Sequence, residues 1–198
     1  SNGPQLCVAG GYIRSICSGE PVNDIDVFGD DKVFLNRIAC DLAASVSGGE
    51  AKVITTDNAY TVRGFKPSVQ FIHRWTFTHP KSVLPSFDFT TAAAAFWWEQ
   101  DLGRLAIMPS NQPGAQGSLA SEGCWQSACH DQFYSDLCAK RLVYTAPIRN
   151  EDAGGSMLRV LKFIARGHRI PLDSLGAVMA RMVAAVKPDD LVPQPSEE

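Results

Sequence analysis

The chain has 198 residues, a formal net charge of −3, 45% hydrophobic residues and 20% charged residues. This composition is ordinary for a globular protein, and it excludes a disordered chain, a collagen and a coiled-coil rod. No apolar run reaches the ~18 to 20 residues that a membrane helix needs, and the N-terminus lacks the features of a signal peptide. We therefore expect one domain, or one domain with a small appendage, and no membrane partner.

The near-neutral net charge conceals an uneven distribution of charge along the chain. Residues 1–139 carry 9 Lys and Arg against 14 Asp and Glu, whereas residues 140–187 carry 9 against 3. The tail 188–198 carries four acidic residues and no basic ones. A basic segment of this kind can attract phosphates, although a solvated helix face gives the same count.

The first hundred residues alternate strand and helix patterns. An apolar stretch over 6–14 is broken by two glycines, and 24–28 alternates with period two, which predicts a strand. A helix is predicted over 32–46, capped by Asp30 or Asp31 and ended by Gly48 and Gly49. Further strands are predicted over 51–56, 59–63, 68–74 and around 87–90.

The remainder of the chain is predicted to be a loop followed by helices. Residues 109–123 are rich in Pro, Gly, Ser, Asn and Gln, as is typical of a loop. Ser156 and Asp173 are suitable caps for helices that run to about 166 and 186. The first helix places Leu158, Leu161 and Ile164 on an apolar side; the second has an apolar stripe of Leu175, Val178, Met179, Met182, Val183 and Val186.

These elements predict an α+β protein. The layout is a head over 1–105, a flexible loop over 106–123, a helical, neck-like region over 124–187 and an acidic tail over 188–198. Cys7, Cys17 and Cys40 lie in apolar contexts and are interpreted as buried free thiols, which favours a reducing, cytoplasmic location. A zinc site is a weak alternative for Cys124, Cys129, His130 and Cys138, because the paired Cys-x2-Cys spacing is missing.

Gly10 and Gly11 follow the first apolar strand, where glycine allows a close approach of the backbone and a positive φ. A helix that begins near Tyr12 would direct its first N–H groups to the same place. The pair is therefore a candidate phosphate seat, although a Gly-Gly turn is more often only a turn.

Asp24 and Asp26 lie on one face of the predicted strand, with Ile25 and Val27 on the other. Two carboxylates so close repel each other unless a cation lies between them, and Mg2+ prefers such oxygen ligands; a solvated strand face is the alternative. Asp88 lies between two phenylalanines and needs a partner if buried. A metal shared with the other two acids would be such a partner, and a turn or cap role is the alternative.

The ordered set of motifs resembles the polymerase-β-type nucleotidyltransferases, and within them the class of CCA-adding enzymes and bacterial poly(A) polymerases. The match begins with Gly10-Gly11-Tyr12-Ile13-Arg14 and Asp24-Ile25-Asp26 and continues through Phe87-Asp88-Phe89-Thr90. It then includes Asp136-Leu137 with Arg141, and Glu151-Asp152 followed by the basic segment from Leu158 to Ala165. The order of these motifs is more specific than any one of them.

The resemblance implies a polymerase-β-like head, with a small mixed sheet and flanking helices, followed by a short helical neck. It also implies an NTP, ATP or CTP, bound with Mg2+ or Mn2+. Asp24, Asp26 and Asp88 would be the catalytic metal ligands. The nucleotide would be contacted by Gly10, Gly11, Arg14, Asp152, Arg159 and Lys162. The implied reaction moves an NMP to an acceptor hydroxyl with release of pyrophosphate, and the first choice of acceptor is a tRNA-like RNA 3′ end.

The chain departs from the family pattern at several positions. Ser15 replaces an Asp, Phe87 an Arg and Ala92 an Asn, and only about two helices of neck follow the head. The short neck motivates a second hypothesis, in which a protein, a small molecule or another nucleotide is the acceptor. The three replacements motivate a third, a non-catalytic module that binds nucleotide or RNA.

Overall fold

The structure is a computed structural model that describes residues 5–46, 51–107, 119–147 and 153–185. The chain divides into two compact units. The first comprises Ser1–Val83 and Ala94–Cys129, and the second comprises Leu84–Ala93 and His130–Glu198. No helix of the described residues is long and apolar enough to cross a membrane.

The first unit is built on a mixed sheet of seven strands. The strands are β1 (Leu6–Ala9), β2 (Asp24–Gly29), β3 (Lys52–Thr55), β4 (Ala59–Arg63), β5 (Ser68–Ile72), β6 (Ala94–Ile107) and β7 (Leu119–Cys129). Their order across the sheet is β3-β4-β5-β2-β1-β6-β7. The pair β2–β5 is parallel and the other neighbours are antiparallel.

Two helices accompany this sheet, α1 (Gly11–Ser18) and α2 (Lys32–Ala44). The Asp31 carboxylate caps α2 by accepting a hydrogen bond from the Phe34 N–H at 2.6 Å, as one of the two predicted caps. The apolar face of α2, through Leu35 and Ala39, packs on the core side chains of the sheet. Those core residues are Val27, Tyr60, Val62 and Phe71.

The long hairpin β6–β7 extends one side of the sheet. Trp98 and Trp125 lie opposite each other in register, and their rings meet edge to face with centroids 5.4 Å apart. The Trp125 ring also meets Phe96 at 5.6 Å, although Trp125 remains 67% exposed. Strand β7 was not predicted, because its Ser, Gly and Gln residues obscure the period-two pattern.

The second unit contains α3 (Phe133–Cys138), α4 (Ala153–Ala165) and α5 (Leu172–Ala185). Its core joins α4 and α5 to the segments around Phe89 and Leu142. The buried members are Phe89, Leu142, Val160, Phe163 and Val178. Pro171 comes directly before α5, which agrees with the predicted stop. The cap prediction for Asp173 was wrong, because this residue lies inside the first turn of α5.

Several predictions about local structure were wrong in the second half. Residues 87–90 are not a strand, because short 3₁₀ helices over Pro80–Ser86 and Thr90–Ala92 occupy this part of the chain. The apolar side predicted for α4 is exposed at Leu158, Leu161 and Ile164, while Val160 and Phe163 are buried. In the α5 stripe Val178 is buried, but Met179 and Val183 are exposed.

The predicted layout also differs from the structure at its boundaries. Strand β7 occupies 119–129, so the sheet continues through positions assigned to the loop and to the start of the helical region. The antiparallel pairing with β6 satisfies the backbone of these residues and places them in the first unit. Residues 108–118, at the centre of the predicted loop, and the acidic tail lie outside the described residues.

Candidate active site

Asp24 and Asp26 lie together on one face of β2 and are both half-buried. Val27, from the other face, belongs to the core beneath α2, so alternation places the two carboxylates on the face opposite that core. Burial, and secondarily the charge of Asp24, raises the pKa of Asp26 to about 7. Within the described ranges no Lys, Arg or His nitrogen forms an ion pair with either carboxylate.

Gln70 is a neighbour of this pair that the sequence motifs did not identify. It lies on β5 opposite Asp26 in register, and its side-chain amide donates to an Asp24 carboxylate oxygen at 3.4 Å. The signal that could have found it is the alternation of β5, which buries Phe71 and leaves Gln70 on the carboxylate face. A neutral amide orients one carboxylate without neutralising it.

Gly10 and Gly11 lie where β1 gives way to α1. Gly10 has φ 84° and ψ −132°, a conformation that favours glycine, and its N–H donates to the Ala94 carbonyl at 2.9 Å. Gly11 begins α1, and a Cβ added there would meet nothing within 4 Å. Because Val8 pairs with Val27, the chain leaves β1 beside Asp26, and the start of α1 is therefore close to the carboxylates.

Arg14 is buried in the first unit. Its guanidinium donates to the Ser15 hydroxyl at 3.0 Å and lies 3.7 Å from a Glu20 carboxylate oxygen. These contacts hold the arginine against its own helix and the loop that follows. Its role as a nucleotide contact stays a prediction.

Asp88 and Arg159 contact each other in the second unit, although the sequence motifs assigned them to different tasks. Both Nε and a terminal nitrogen of Arg159 lie 2.6 Å from one Asp88 carboxylate oxygen. The Ser156 hydroxyl donates to the same oxygen at 2.8 Å, so Ser156 supports Asp88 from inside α4 and does not cap the helix. The partner that a buried Asp88 requires is therefore supplied by the chain, and its burial no longer argues for a metal.

Asp136 is also paired with an arginine and a hydroxyl, and it is more deeply buried than Asp88. Its carboxylate is fully buried, accepts from Arg141 Nε at 2.7 Å and accepts from the Thr90 hydroxyl at 2.6 Å. The Asp136 and Arg141 of the motif thus tie α3 to the 3₁₀ turn at Thr90. Both buried acids described in the second unit are satisfied, as buried polar groups should be.

The other predicted residues are placed as follows. Lys162 is exposed in the last turn of α4, and Asp152 lies outside the described residues. The six cysteines are free, and Cys7 is the buried one; burial raises the pKa of its thiol to about 12. The prediction that Cys17 and Cys40 are buried was wrong, because both are exposed on helices. In the part of the chain that the structure describes, no three His, Cys, Asp or Glu side chains group as a metal site, so the zinc alternative gains nothing.

The donor set of β2 fits a hard divalent cation. Mg2+ and Mn2+ take carboxylate oxygens and are usually held by one or two protein carboxylates together with substrate phosphates. The raised pKa of Asp26 shows that its charge is costly without a cation, which is the condition that a bound metal relieves.

The model of one protein family matches residues 1–140, and its description is Gabija anti-defense 2 family protein. No curated protein matches the chain in sequence.

Solved structures with a similar fold are tRNA-processing enzymes. A tRNA-processing enzyme in apo form has a TM-score of 0.60 at 19% identity over 92% of this chain and 43% of its own. The Thermotoga maritima CCA-adding enzyme complexed with tRNA has a TM-score of 0.59 at 16% identity, over 91% of this chain and 38% of its own. A tRNA nucleotidyltransferase complexed with a primer tRNA and an incoming ATP analog has a TM-score of 0.60 at 17% identity, over 92% of this chain and 48% of its own. The chain spans less than half the length of these proteins. The fold is thus that of a nucleotidyltransferase head of the CCA-adding class, as the motifs predicted.

Proposed function

The chain belongs to the Gabija anti-defense 2 family, and from this premise and its carboxylate pair we propose that it is a metal-dependent nucleotidyltransferase. It transfers an NMP from ATP or CTP to an acceptor hydroxyl, and the proposed acceptor is an RNA 3′ end. The observation that carries the proposal is the half-buried pair Asp24 and Asp26, which has no cationic partner within the described residues. The likeness of the fold to nucleotidyltransferases supports the same reaction class.

The carboxylates Asp24 and Asp26 would hold Mg2+, or Mn2+, at the sheet. Bound there, such ions lower the pKa of an acceptor hydroxyl and stabilise the charge of leaving pyrophosphate. The acceptor oxygen forms a bond to the α-phosphorus, the bond from that phosphorus to the bridging oxygen breaks, and the hydroxyl proton leaves to solvent. Gln70 keeps Asp24 in place through its amide.

The nucleotide would be seated by the start of α1. The first N–H groups of a helix have no partner inside it, and the positive end of the helix dipole favours a triphosphate there. The open space at Gly11 allows a phosphate to approach the backbone closely. Arg14, Asp152, Arg159 and Lys162 are the further proposed nucleotide contacts, and Asp88 remains a proposed third carboxylate with the least support, because Arg159 and Ser156 already engage it.

Two observations favour different acceptors. Solved structures of similar fold are complexed with tRNA, which supports RNA. The family description names an anti-defence role, which favours a second candidate: transfer of the NMP to a protein, small molecule or nucleotide of a defence system. A cytoplasmic location is proposed with either acceptor, because all six cysteines are free.

The test is incubation with α-labelled NTPs, Mg2+ and bulk RNA, using Asp24→Asn and a control, Asp41→Asn, on the exposed side of α2. We expect label on RNA with the wild type and the control, and a loss of about a thousandfold with Asp24→Asn, since metal stabilisation contributes several kcal/mol. Equal activity of Asp24→Asn and wild type would overturn the metal role. Label on a protein or small molecule of a lysate, and none on RNA, would select the second candidate; NTP binding without any transfer would select the non-catalytic module.

A further inference from the structure

A cavity of about 730 Å³ adjoins the carboxylate pair within the first unit. Its wall includes Arg63 and Lys66 from the end of β4 and the turn that follows, and the polar side chains Thr61, Ser68 and Gln70. Among the residues that the structure describes, no Asp or Glu lines it. Its size lies within the range of ~300 to 1,000 Å³ that is usual for small-ligand pockets. We call it the basic pocket, after Arg63 and Lys66.

The sheet register places the basic pocket on the same face as the carboxylates. Ser68 lies opposite Asp24, and Gln70 lies opposite both Asp26 and Thr61. Two residues beyond Thr61, Arg63 returns to that face by alternation. Arg63 is then level with Asp24 and two strands away, a separation of about 10 Å at ~4.8 Å per strand spacing.

The cations of the basic pocket favour an anionic ligand. Lys52 on β3 lies directly opposite Arg63, and like charges in this position destabilise an antiparallel pair. Arg63, Lys66 and Lys52 are exposed, and no ion pair to them occurs within the described ranges. A phosphate between these side chains would offset their mutual repulsion, and the Thr61 and Ser68 hydroxyls are further donors to it.

The location relative to the carboxylates decides which phosphate belongs there. The proposed triphosphate seat at Gly10 and Gly11 lies on the β1 side of β2, whereas the basic pocket lies on the β5 and β4 side. Metal-assisted phosphoryl displacement is in line, so the attacking hydroxyl approaches from the side opposite to the leaving pyrophosphate. With the pyrophosphate on the β1 side, the acceptor comes from the side of the basic pocket.

We infer that the basic pocket binds a backbone phosphate of the acceptor and that the acceptor is a single-stranded end of RNA. This rests on the proposed function for the orientation of the two substrates. Two cations with hydroxyl donors, and no carboxylate from the described residues, match a phosphodiester and give no particular contact to an uncharged side chain of a protein.

The experiment compares wild type with the double variant Arg63→Gln/Lys66→Gln. Fluorescence anisotropy measures binding of a labelled ten-nucleotide RNA in EDTA over a series of salt concentrations, and a fluorescent ATP analogue with Mg2+ measures nucleotide binding. We expect RNA affinity to fall about tenfold and the slope of log K against log salt to shrink by about 0.7, the value for the one phosphate contact that is lost. Nucleotide affinity should not change.

The matched control is Lys32→Gln/Arg37→Gln, which removes the same charge from exposed positions on α2, whose helix covers the opposite face. It should bind RNA as the wild type does. Equal loss in both double variants would overturn the site, because only net charge would then matter. The inference would also be overturned if inorganic phosphate competed with the RNA and the pocket bound the oligonucleotide no more tightly than its uncharged methylphosphonate analogue. The pocket would then be a site for free phosphate.

The two proposals fail in distinguishable ways. If Arg63→Gln/Lys66→Gln loses RNA binding but the wild type transfers no nucleotide to any acceptor, the site stands and the proposed reaction does not. If the wild type extends RNA and the double variant has an unchanged KM for RNA, the reaction stands and the acceptor site is rejected.

Discussion

The buried and half-buried aspartates of the two units have opposite surroundings. In the second unit, Asp88 and Asp136 each accept from an arginine and from a hydroxyl. In the first, Asp24 receives one long hydrogen bond from Gln70, and neither it nor Asp26 has a cationic partner in the part of the chain described. The charge of these aspartates is thus balanced by groups of the chain in the second unit, whereas in the first unit it can be balanced by a bound cation.

This difference separates a structural carboxylate from a functional candidate. An acid whose charge is balanced within the chain contributes to packing, and its removal should alter stability first. An acid whose charge is balanced only by a ligand should alter binding and activity first, and its removal can even stabilise the protein. Asp88 and Asp26 are the two residues on which this distinction can be tested most directly.

The largest effect on stability is expected from Arg159→Met. It leaves Asp88 buried with only Ser156, and it should lower the free energy of unfolding by about 2 to 3 kcal/mol, less than for a fully buried pair because the Arg159 side chain is 42% exposed. Urea denaturation of the metal-free protein measures it. The double variant Asp88→Asn/Arg159→Met should recover part of the loss.

The opposite result would make Asp88 a functional candidate and not a structural carboxylate. If Asp88→Asn abolished nucleotide transfer while the urea midpoint stayed unchanged, Asp88 would be a metal ligand after all, and the contrast between the two units would fail. Lys162→Met, also on α4 and exposed, is the matched control for the loss of a positive charge.

The next effect is a dependence of stability on pH that originates in Asp26. Its pKa is about 7 in the folded protein against 3.8 as the ordinary value, so the folded state holds its proton more tightly. Its contribution is fully present below pH 4 and is lost as the pH rises through 7. We expect a loss of roughly 2 kcal/mol between pH 4 and 8, about half of what ~1.4 kcal/mol per pH unit implies, because the side chain is partly exposed.

Asp26→Asn should remove this decline, so that the variant is more stable than the wild type at pH 8 and inactive. Asp41→Asn, at an exposed position, should keep the wild-type profile. Thermal melts of the metal-free protein at pH 5 to 8 measure this difference in stability. Above pH 7, saturating Mg2+ should raise the stability of the wild type and should leave that of Asp26→Asn unchanged. Parallel profiles of wild type and Asp26→Asn would show that Asp26 is not the titrating group.

The smallest expected effect is that of Gly11→Ala on nucleotide binding. The added methyl meets no protein atom, and alanine favours a helix over glycine by up to about 1 kcal/mol, so folding should be unharmed. If a phosphate approaches the backbone here, the methyl should weaken ATP affinity by about tenfold, measured by calorimetry. Gly176→Ala in α5, where a methyl also meets nothing, should leave ATP affinity unchanged, and equal affinities for both variants would remove the phosphate seat from Gly11.

The sequence predicted the first unit well where pattern and burial agree. The alternation of Asp24 to Phe28, the apolar face of α2 and the Asp31 cap are all confirmed, because one side of each element faces the core. The position of the glycine pair at the start of α1 is also confirmed, and the positive φ of Gly10 explains why glycine is favoured there. These local rules were sufficient to predict an α+β head, and the ordered motifs were needed to predict its polymerase-β-like fold.

The failures arise where a tertiary contact overrides a local pattern. The predicted apolar side of α4, with Leu158, Leu161 and Ile164, was wrong. The packing of Val160 and Phe163 with Phe89 turns a different side of the helix to the core. Strand β7 depends on its pairing with β6, some twenty residues earlier, more than on its own composition. The partners of Asp88 are about seventy residues away, and no motif spacing reveals which cation will reach it.

The edge-to-face pair of Trp98 and Trp125 supplies an internal reporter of the sheet. Two indoles at 5.4 Å and 77° couple as chromophores, so the hairpin should contribute an exciton band to the far-ultraviolet circular dichroism spectrum. Both residues share the register of Phe96 and Val8, on the face away from Asp24 and Asp26, so this band should follow folding and ignore ligands. A variant that keeps the exciton band and loses activity has therefore kept the sheet of its first unit.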